Sequence, residues 1–280
     1  MKFGVSAFAW TAAFESRHLR LLPVVREFGF EALEIPMFRP ELLPVKELRR
    51  EFAASGLAAT VCAILPEGIN PISTEKAVRE RSLAHLTACV ETAAEIGARL
   101  LGGPVFAPIG YLPGHRPSGD ELAWAVECFQ ALGPVLDRCD VTLSLEPVNR
   151  SETFFLRTGA EARALCEAVG DSRMGVTIDT FHANIEEKDI AAAVEELGPW
   201  LKHLHASESD RGLLGSGHVE FAEILAAAER SGYDGYWMIE GFGYSADEAR
   251  APGWLWADTA VSPERLAVEG LGYLRGLAGA

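Results

Sequence analysis

The chain has 280 residues, of which 49% are hydrophobic and 23% are charged, with 25 Lys and Arg against 40 Asp and Glu. This apolar fraction excludes a disordered chain, and the net charge of −15 argues against nucleic acid or an anionic membrane as a partner, because phosphate groups need a basic surface. The five cysteines include no C-x-x-C pair, and neither a signal-peptide pattern nor a long apolar run occurs, so we expect a cytoplasmic protein without a disulfide framework.

Short apolar runs alternate with longer helical segments along the whole chain. Several of the runs are almost continuously apolar, which is typical of parallel strands that are covered on both faces. Eight strands are predicted, at residues 2–8, 30–35, 57–64, 99–103, 141–146, 174–179, 200–206 and 235–240.

The segments between these strands carry helix signals. Apolar residues recur at spacings of three and four, and the pairs Ser118/Glu121 and Thr158/Glu161 have the spacing of capping boxes. Eight βα units without a linker predict a single (β/α)8 TIM barrel over residues 1–280. A doubly wound sheet is the alternative, but it would need a glycine-rich turn after the first strand, and residues 9–13 read AWTAA.

The last four predicted strands each end in an ionisable residue, namely Glu146, Asp179, His205 and Glu240. Their separations of 33, 26 and 35 residues are each about one βα repeat, so the side chains should meet at the C-terminal mouth of the barrel. A single strand-end carboxylate often pairs with an arginine, but three together repel one another unless a cation holds them. Carboxylate oxygens with one imidazole suit one six-coordinate divalent ion, Mn²⁺, Mg²⁺ or Co²⁺.

Polar residues surround these four positions in the sequence. Residues 149–152 follow the fifth predicted strand, His182 follows the sixth, and residues 207–211 follow the seventh. His203 precedes His205 by two positions, and we expect it to face away from the site as a packed or surface histidine.

Four blocks of sequence match patterns of a known family. They are EPVNRSET at residues 146–153, DTFHANIEE at 179–187, HASESDR at 205–211 with GSGH at 215–218, and GYDG at 232–235 with IE at 239–240. In these blocks the chain resembles the ketose 3-epimerases (D-tagatose and D-psicose, or allulose, 3-epimerases) of the xylose isomerase-like TIM barrel superfamily.

The resemblance implies a metal-dependent epimerase acting on C3 of a free 2-ketose, of the D-tagatose, D-psicose or D-fructose type or a ketopentose, with Mn²⁺ as the preferred ion. It implies that the four strand-end residues bind the metal and that Glu146 and Glu240 also move the C3 proton through an enediolate. Glu152, His182 and Arg211 would bind the O1–O3 end of this small-molecule sugar. A homodimer or homotetramer is implied as well.

Other expectations concern the pocket. Ser6 stands where the family usually has an aromatic residue that lines the pocket, and this departure leaves the sugar preference open. Phe106, residues 65–69 and Tyr111 are expected to form the wall that meets C4–C6. Residues 241–261 are expected to be either a core segment of the last connection, or an oligomer contact or lid.

Two other reactions on the same barrel remain open. An aldose–ketose isomerase of the hydroxypyruvate- or xylose-isomerase type would move a proton between C1 and C2, and an inosose-type dehydratase would expel a hydroxyl group. A metal-dependent phosphodiesterase acting on DNA would need more histidine ligands and a basic face, against seven histidines and a charge of −15 here.

Overall fold

Eight parallel strands close into one barrel in the computed structural model, which describes residues 1–242 and 261–279. Each strand pairs with the next along the chain, and the first pairs with the last, so the predicted (β/α)8 TIM barrel is confirmed. The strands are β1 Lys2–Ser6, β2 Ala32–Met37, β3 Ala58–Ala63, β4 Leu100–Gly103, β5 Thr142–Leu145, β6 Met174–Asp179, β7 Leu201–Ala206 and β8 Tyr236–Ile239.

A ring of helices surrounds the barrel, and both predicted capping boxes are present, at the starts of α4 and α5. Within the described residues, no helix has both the length and the apolar character needed to cross a membrane. The α-helices of this part of the chain are α1 Leu21–Glu27, α2 Val45–Ser55, α3 Lys76–Ile96, α4 Gly119–Cys139, α5 Gly159–Val169, α6 Thr180–Glu186, α7 Ile190–Leu197, α8 Phe221–Arg230 and α9 Pro263–Leu277.

Some strands are buried on both faces, which explains why their sequences read as continuous apolar runs. Helices cover the outer face, and side chains from the other strands fill the interior, so every residue of β2 and of β6 is buried. Each of these two strands nevertheless carries one carboxylate, Glu34 in β2 and Asp179 in β6. A buried carboxylate requires charged or hydrogen-bonding partners, so both positions point to the site.

Gly103, the last residue of β4, fixes the backbone beside the mouth of the barrel. Its φ angle is 119°, a region in which glycine rests without strain, and a Cβ atom here would overlap the carbonyl oxygen of Ala63. Its own carbonyl oxygen accepts the N–H of Glu146 at 3.1 Å. The position of Glu146 therefore depends on this glycine.

We expect Gly103→Ala to lower the free energy of unfolding by about 2 kcal/mol or more, because a strained φ angle and overpacking each cost about 1–3 kcal/mol. Urea unfolding followed by circular dichroism measures the change. Gly102→Ala is the matched control, because the nearest atom to its Cβ would be Oγ1 of Thr177 at 3.5 Å, an ordinary contact. Equal losses in the two variants would contradict this explanation.

Candidate metal and active site

The four residues expected to bind a metal lie together at the C-terminal mouth of the barrel. One donor atom from each of the four lies within 4.8 Å of the other three, and all four side chains are buried. Nδ1 of His205 is 3.4 Å from Oε1 of Glu146 and 3.6 Å from Oε1 of Glu240. The same nitrogen is 3.9 Å from Oδ2 of Asp179. The donors thus surround one common point.

Glu146, Asp179, His205 and Glu240 are called the metal-binding ring below. Local backbone structure places the carboxylates of this ring. Asp179 begins α6, and its Oδ1 accepts the N–H groups of Phe181 at 2.6 Å and His182 at 3.3 Å. This capping contact uses Oδ1, so Oδ2 is the oxygen that faces Nδ1 of His205. Glu240 follows β8, and its N–H donates to the carbonyl oxygen of Ala206 at 3.0 Å. The start of α6 thus fixes the carboxylate of Asp179, and a backbone hydrogen bond to β7 fixes the main chain at Glu240.

The donor set fits a divalent cation of the Mn²⁺, Mg²⁺ or Co²⁺ class. Nδ1 of His205 is buried and has no hydrogen-bond partner among the residues that the structure describes, although three carboxylates face it. A buried nitrogen without a partner is costly unless a cation completes its surroundings. Burial and the nearby carboxylates raise the pKa of the Cys62 thiol, 4.0 Å from Oε2 of Glu146, well above its ordinary value. Three of the four residues in the ring are carboxylates, so the site is rich in oxygen donors.

Arg211 enters this ring from the loop after β7. Its Nη1 donates to Oδ2 of Asp179 at 2.8 Å, to Oε2 of Glu240 at 2.9 Å and to Oγ of Ser207 at 2.6 Å. The guanidinium is buried and lies over the ring of Phe181, 4.1 Å from its centroid. Burial alone would raise the pKa of Asp179, but the charge of Arg211, with smaller contributions from His182, Glu240 and His205, holds that pKa below its usual range. Arg211 thus forms buried ion pairs with two of the carboxylates, those of Asp179 and Glu240.

The turn that carries Arg211 is organised by another buried glutamate. Arg211 has a positive φ angle of 61°, and its N–H donates to the carbonyl oxygen of Glu208 at 2.9 Å. The carboxylate of Glu208 accepts N–H groups from Ser209, Gly215 and Val219 at 2.8, 2.9 and 3.2 Å. These contacts hold the glycine-rich loop in place, so the unusual backbone of Arg211 is maintained from within the loop.

Two of the four residues of the ring, Glu240 and His205, have raised pKa values. Burial, and then the charges of Asp179 and Glu146, raise the pKa of Glu240 despite the nearby cationic groups. Burial would lower the pKa of His205, but the carboxylates of Glu34, Glu240 and Glu146 raise it well above its ordinary value. Because metal ligands must be deprotonated, metal affinity should rise with pH.

A cavity of about 210 Å³ adjoins the ring and brings three predicted substrate residues to it, Glu152, His182 and Arg211. Burial raises the pKa of Glu152, whose Oε1 accepts a hydrogen bond from Nδ2 of Asn149 at 2.9 Å. Burial lowers the pKa of His182 to about 3, so its imidazole is neutral. The cavity is lined further by Phe8, Phe38, Cys62, Ile64, Pro104, Ile109, Glu146, Val148, Glu240 and Phe242.

Two of the residues expected to bind substrate lie elsewhere, which corrects that expectation. Ser6 is fully buried, and its hydroxyl accepts the N–H of Phe8 at 3.3 Å, so Phe8 lines the cavity from this segment instead. Phe106 is fully buried, and its ring packs against Phe155 at a centroid distance of 6.1 Å. Neither Ser6 nor Phe106 is among the described residues that line the cavity. The Ser6 side chain caps the helical turn at Ala7–Ala9, and the Phe106 ring belongs to the hydrophobic core.

Other pocket predictions had mixed outcomes. Residues 65–69 and Tyr111 do not reach the cavity within the described parts of the chain, whereas Ile64 and Ile109 do. Of the segment 241–261, Phe242 lines the cavity, and residues 243–260 lie outside the described residues.

The expectation that His203 faces away from the site is wrong. Residues two apart on a strand point to the same face, so His203 enters the barrel interior beside His205. Nε2 of His203 lies 2.9 Å from Oε2 of Glu34, and Nε2 of His205 lies 3.1 Å from Oε1 of the same residue. Sequence reasoning missed Glu34, although a single charge inside the otherwise apolar strand β2 was a signal that could have shown it.

Three other charged residues of the matched sequence blocks, Arg150, Glu186 and Glu187, form hydrogen bonds outside the cavity. Arg150 donates to Glu186 through its backbone N–H at 2.7 Å and through its guanidinium at 2.8 and 3.0 Å. Oε1 of Glu187 accepts the N–H of Gly159 at 2.8 Å. These contacts join the loops after β5 and β6 behind the site.

Comparisons with known proteins agree with this geometry. The model of the xylose isomerase-like TIM barrel family matches residues 22–277. A probable ketose 3-epimerase of Synechocystis sp. is 30% identical over 98% of this chain and 96% of its own length. A ketose 3-epimerase of Arthrobacter globiformis is 34% identical over 92% of this chain and 91% of its own. A crystal structure of D-allulose 3-epimerase from Methylomonas sp. in complex with D-allulose has a TM-score of 0.92 at 26% identity, covering 99% and 96% of the two chains.

Proposed function

The chain belongs to the ketose 3-epimerase family of the xylose isomerase-like TIM barrels, and we propose that it inverts C3 of a free 2-ketose with one divalent cation. One observation carries the proposal. Glu146 and Glu240 both belong to the four-residue ring and both line the adjoining cavity, whereas Asp179 and His205 are not among the described residues that line it. Two glutamates therefore remain accessible to a substrate.

These two glutamates suit a two-base inversion. They follow β5 and β8, which are separated by two other strands of the closed barrel, so they approach the cavity from different sides. One carboxylate would take the proton from C3, the other would deliver a proton to the opposite face, and the two would exchange roles in the reverse direction. Glu240, whose pKa is raised, suits the protonated member of the pair.

A bound divalent cation, for which we propose Mn²⁺, would supply a Lewis acid for the negative charge that develops on the substrate oxygens as the C3 proton leaves. The chain's own residues would orient the sugar. Arg211 and the neutral His182 would hold O1 and O2, and Glu152 would accept a hydrogen bond from a hydroxyl group. Their fixed positions would keep C3 between the two glutamates.

The rest of the cavity bears on the choice of sugar. Most of its other lining residues are apolar, including Phe8, Phe38 and Ile64, so C4–C6 would be bound by shape and exclusion of water. Two relatives are named for L-ribulose and for D-psicose. We propose hexuloses of the D-tagatose, D-psicose and D-fructose type or a ketopentose as substrates.

Incubation with these ketoses in D₂O and Mn²⁺, followed by NMR, tests the reaction. We expect the C3 epimer to form with deuterium at C3, and no conversion in protein stripped of metal by a chelator. Deuterium at C1 with an aldose product would instead show the isomerase alternative, and loss of water would show the dehydratase. Either result would overturn the proposed reaction.

Two further expectations stay predictions. A homodimer or homotetramer is tested by analytical ultracentrifugation, and the cytoplasmic location by cell fractionation.

A further inference from the structure

A fully buried carboxylate, Glu34 of β2, contacts Nε2 of His205, the nitrogen opposite the one that faces the metal-binding ring. Its Oε1 is 3.1 Å from Nε2 of His205, and its Oε2 is 2.9 Å from Nε2 of His203. Oγ1 of Thr60 donates to Oε2 at 3.3 Å. Since β2 and β7 are not neighbours in the barrel, Glu34 reaches across the interior to make these contacts.

This contact determines which nitrogen of His205 can meet a cation. Carboxylates face both nitrogens of His205, but a cation between the three carboxylates of the ring needs a lone pair at Nδ1, so the single N–H of the neutral imidazole stays on Nε2. Nε2 of His205 therefore donates to Glu34, and Nδ1 presents its lone pair to the point between the three carboxylates. A ligating histidine whose other nitrogen donates to a carboxylate is also a stronger ligand.

We propose that Glu34 is a positioning residue that sets the tautomer and the ring orientation of His205 and thereby the metal affinity of the site. The inference deepens the proposed function, because it rests on the same metal site. Glu34 does not line the cavity within the described residues, so it acts through His205 and not on the sugar.

His203 and Thr60 hold Glu34 in this role. Both contact Oε2, and Nε2 of His205 lies 3.1 Å from Oε1 and 3.4 Å from Oε2. The rings of His203 and His205 lie edge to face, with centroids 5.0 Å apart and an interplanar angle of 79°. An apolar residue at position 34 would fill the interior without burying a charge, so stability alone does not account for the carboxylate. Its specific contribution is the orientation of the imidazole.

The first test is Mn²⁺ binding by titration calorimetry at pH 8, after removal of metal with a chelator. We expect Glu34→Gln to raise the Kd for Mn²⁺ by about 10- to 100-fold, the range typical for the loss of such a contact. Glu121→Gln is the matched control, because Glu121 is also a buried glutamate but caps α4. It should change thermal stability and leave the Kd unchanged. An unchanged Kd in folded Glu34→Gln protein would overturn the proposal.

The second test needs no variant at position 34. Two-dimensional ¹H–¹⁵N NMR of the Mg²⁺-loaded protein reports which imidazole nitrogen carries hydrogen, and the His205 signals are those absent from His205→Gln. We expect protonated Nε2 and unprotonated Nδ1, and the opposite tautomer would overturn the proposal. Neither measurement depends on turnover. A protein that passes both tests but leaves every ketose unchanged would overturn the proposed function alone.

Discussion

Glu146→Gln and Glu240→Gln should each lower the turnover number for epimerisation by about 10²- to 10⁴-fold, the usual contribution of general acid–base catalysis. A glutamine can still offer a carbonyl oxygen to a cation, but it cannot accept the C3 proton. Both side chains line the cavity from different strands, so neither can replace the other at its own face of C3. Initial rates at saturating ketose and Mn²⁺, with bound metal measured in the same samples, give the comparison.

Asp179→Asn is the matched control for these two variants. Asp179 belongs to the same ring but is not among the described residues that line the cavity. Its loss should weaken metal binding, and excess Mn²⁺ should recover more of the turnover than in the two glutamate variants. Near-normal turnover in either glutamate variant with metal retained would refute the two-base assignment.

Exchange of the C3 proton for solvent deuterium distinguishes the roles of the two glutamates. A single remaining base can remove and return the C3 proton on its own face, so each variant should incorporate deuterium into one epimer without converting it. The two variants should act on opposite epimers. Exchange of the same epimer in both variants would contradict the assignment of one glutamate to each face.

The barrel and its ring of donors were predictable because their signals are local. Continuous apolar runs report parallel strands, and a carboxylate directly after such a run, as in Glu146 and Glu240, falls at the mouth of a barrel whatever the details of packing. The repeat spacing then puts neighbouring strand ends side by side. These arguments need only distance along the chain.

The parts that were missed depend on contacts across the barrel. Glu34 on β2 contacts His205 on β7, although the two strands are not adjacent and the residues are 171 positions apart. No periodicity in the sequence predicts such a contact. Phe106 and Ile109 lie three positions apart in one loop, and packing against Phe155 decides that the first enters the core. The error on His203 has a different origin, because the alternation of side chains along a strand predicts that it shares a face with His205.

Arg211→Met should lower the free energy of unfolding of the metal-free protein by about 3–5 kcal/mol, because removal of one partner of a buried ion pair leaves an uncompensated charge. The guanidinium contacts both Asp179 and Glu240, and both carboxylates are buried. Urea unfolding with chelator present measures this loss. The structure further predicts that the loss depends on metal, since a cation in the ring would give the same carboxylates a positive neighbour.

The variant, whose carboxylates have lost their guanidinium, should bind Mn²⁺ more tightly than wild type. The difference between the two should therefore shrink when both are measured at the same Mn²⁺ concentration, about 100 times the Kd of wild type, a level that stabilises wild type by about 2.7 kcal/mol. Arg138→Met is the control, because Arg138 forms an exposed ion pair with Glu91 and should show little change with or without Mn²⁺. If Arg211→Met is equally destabilised in both conditions, Arg211 and the cation do not share these carboxylates. If the loss shrinks as expected, Arg211 and the cation stabilise the same two carboxylates.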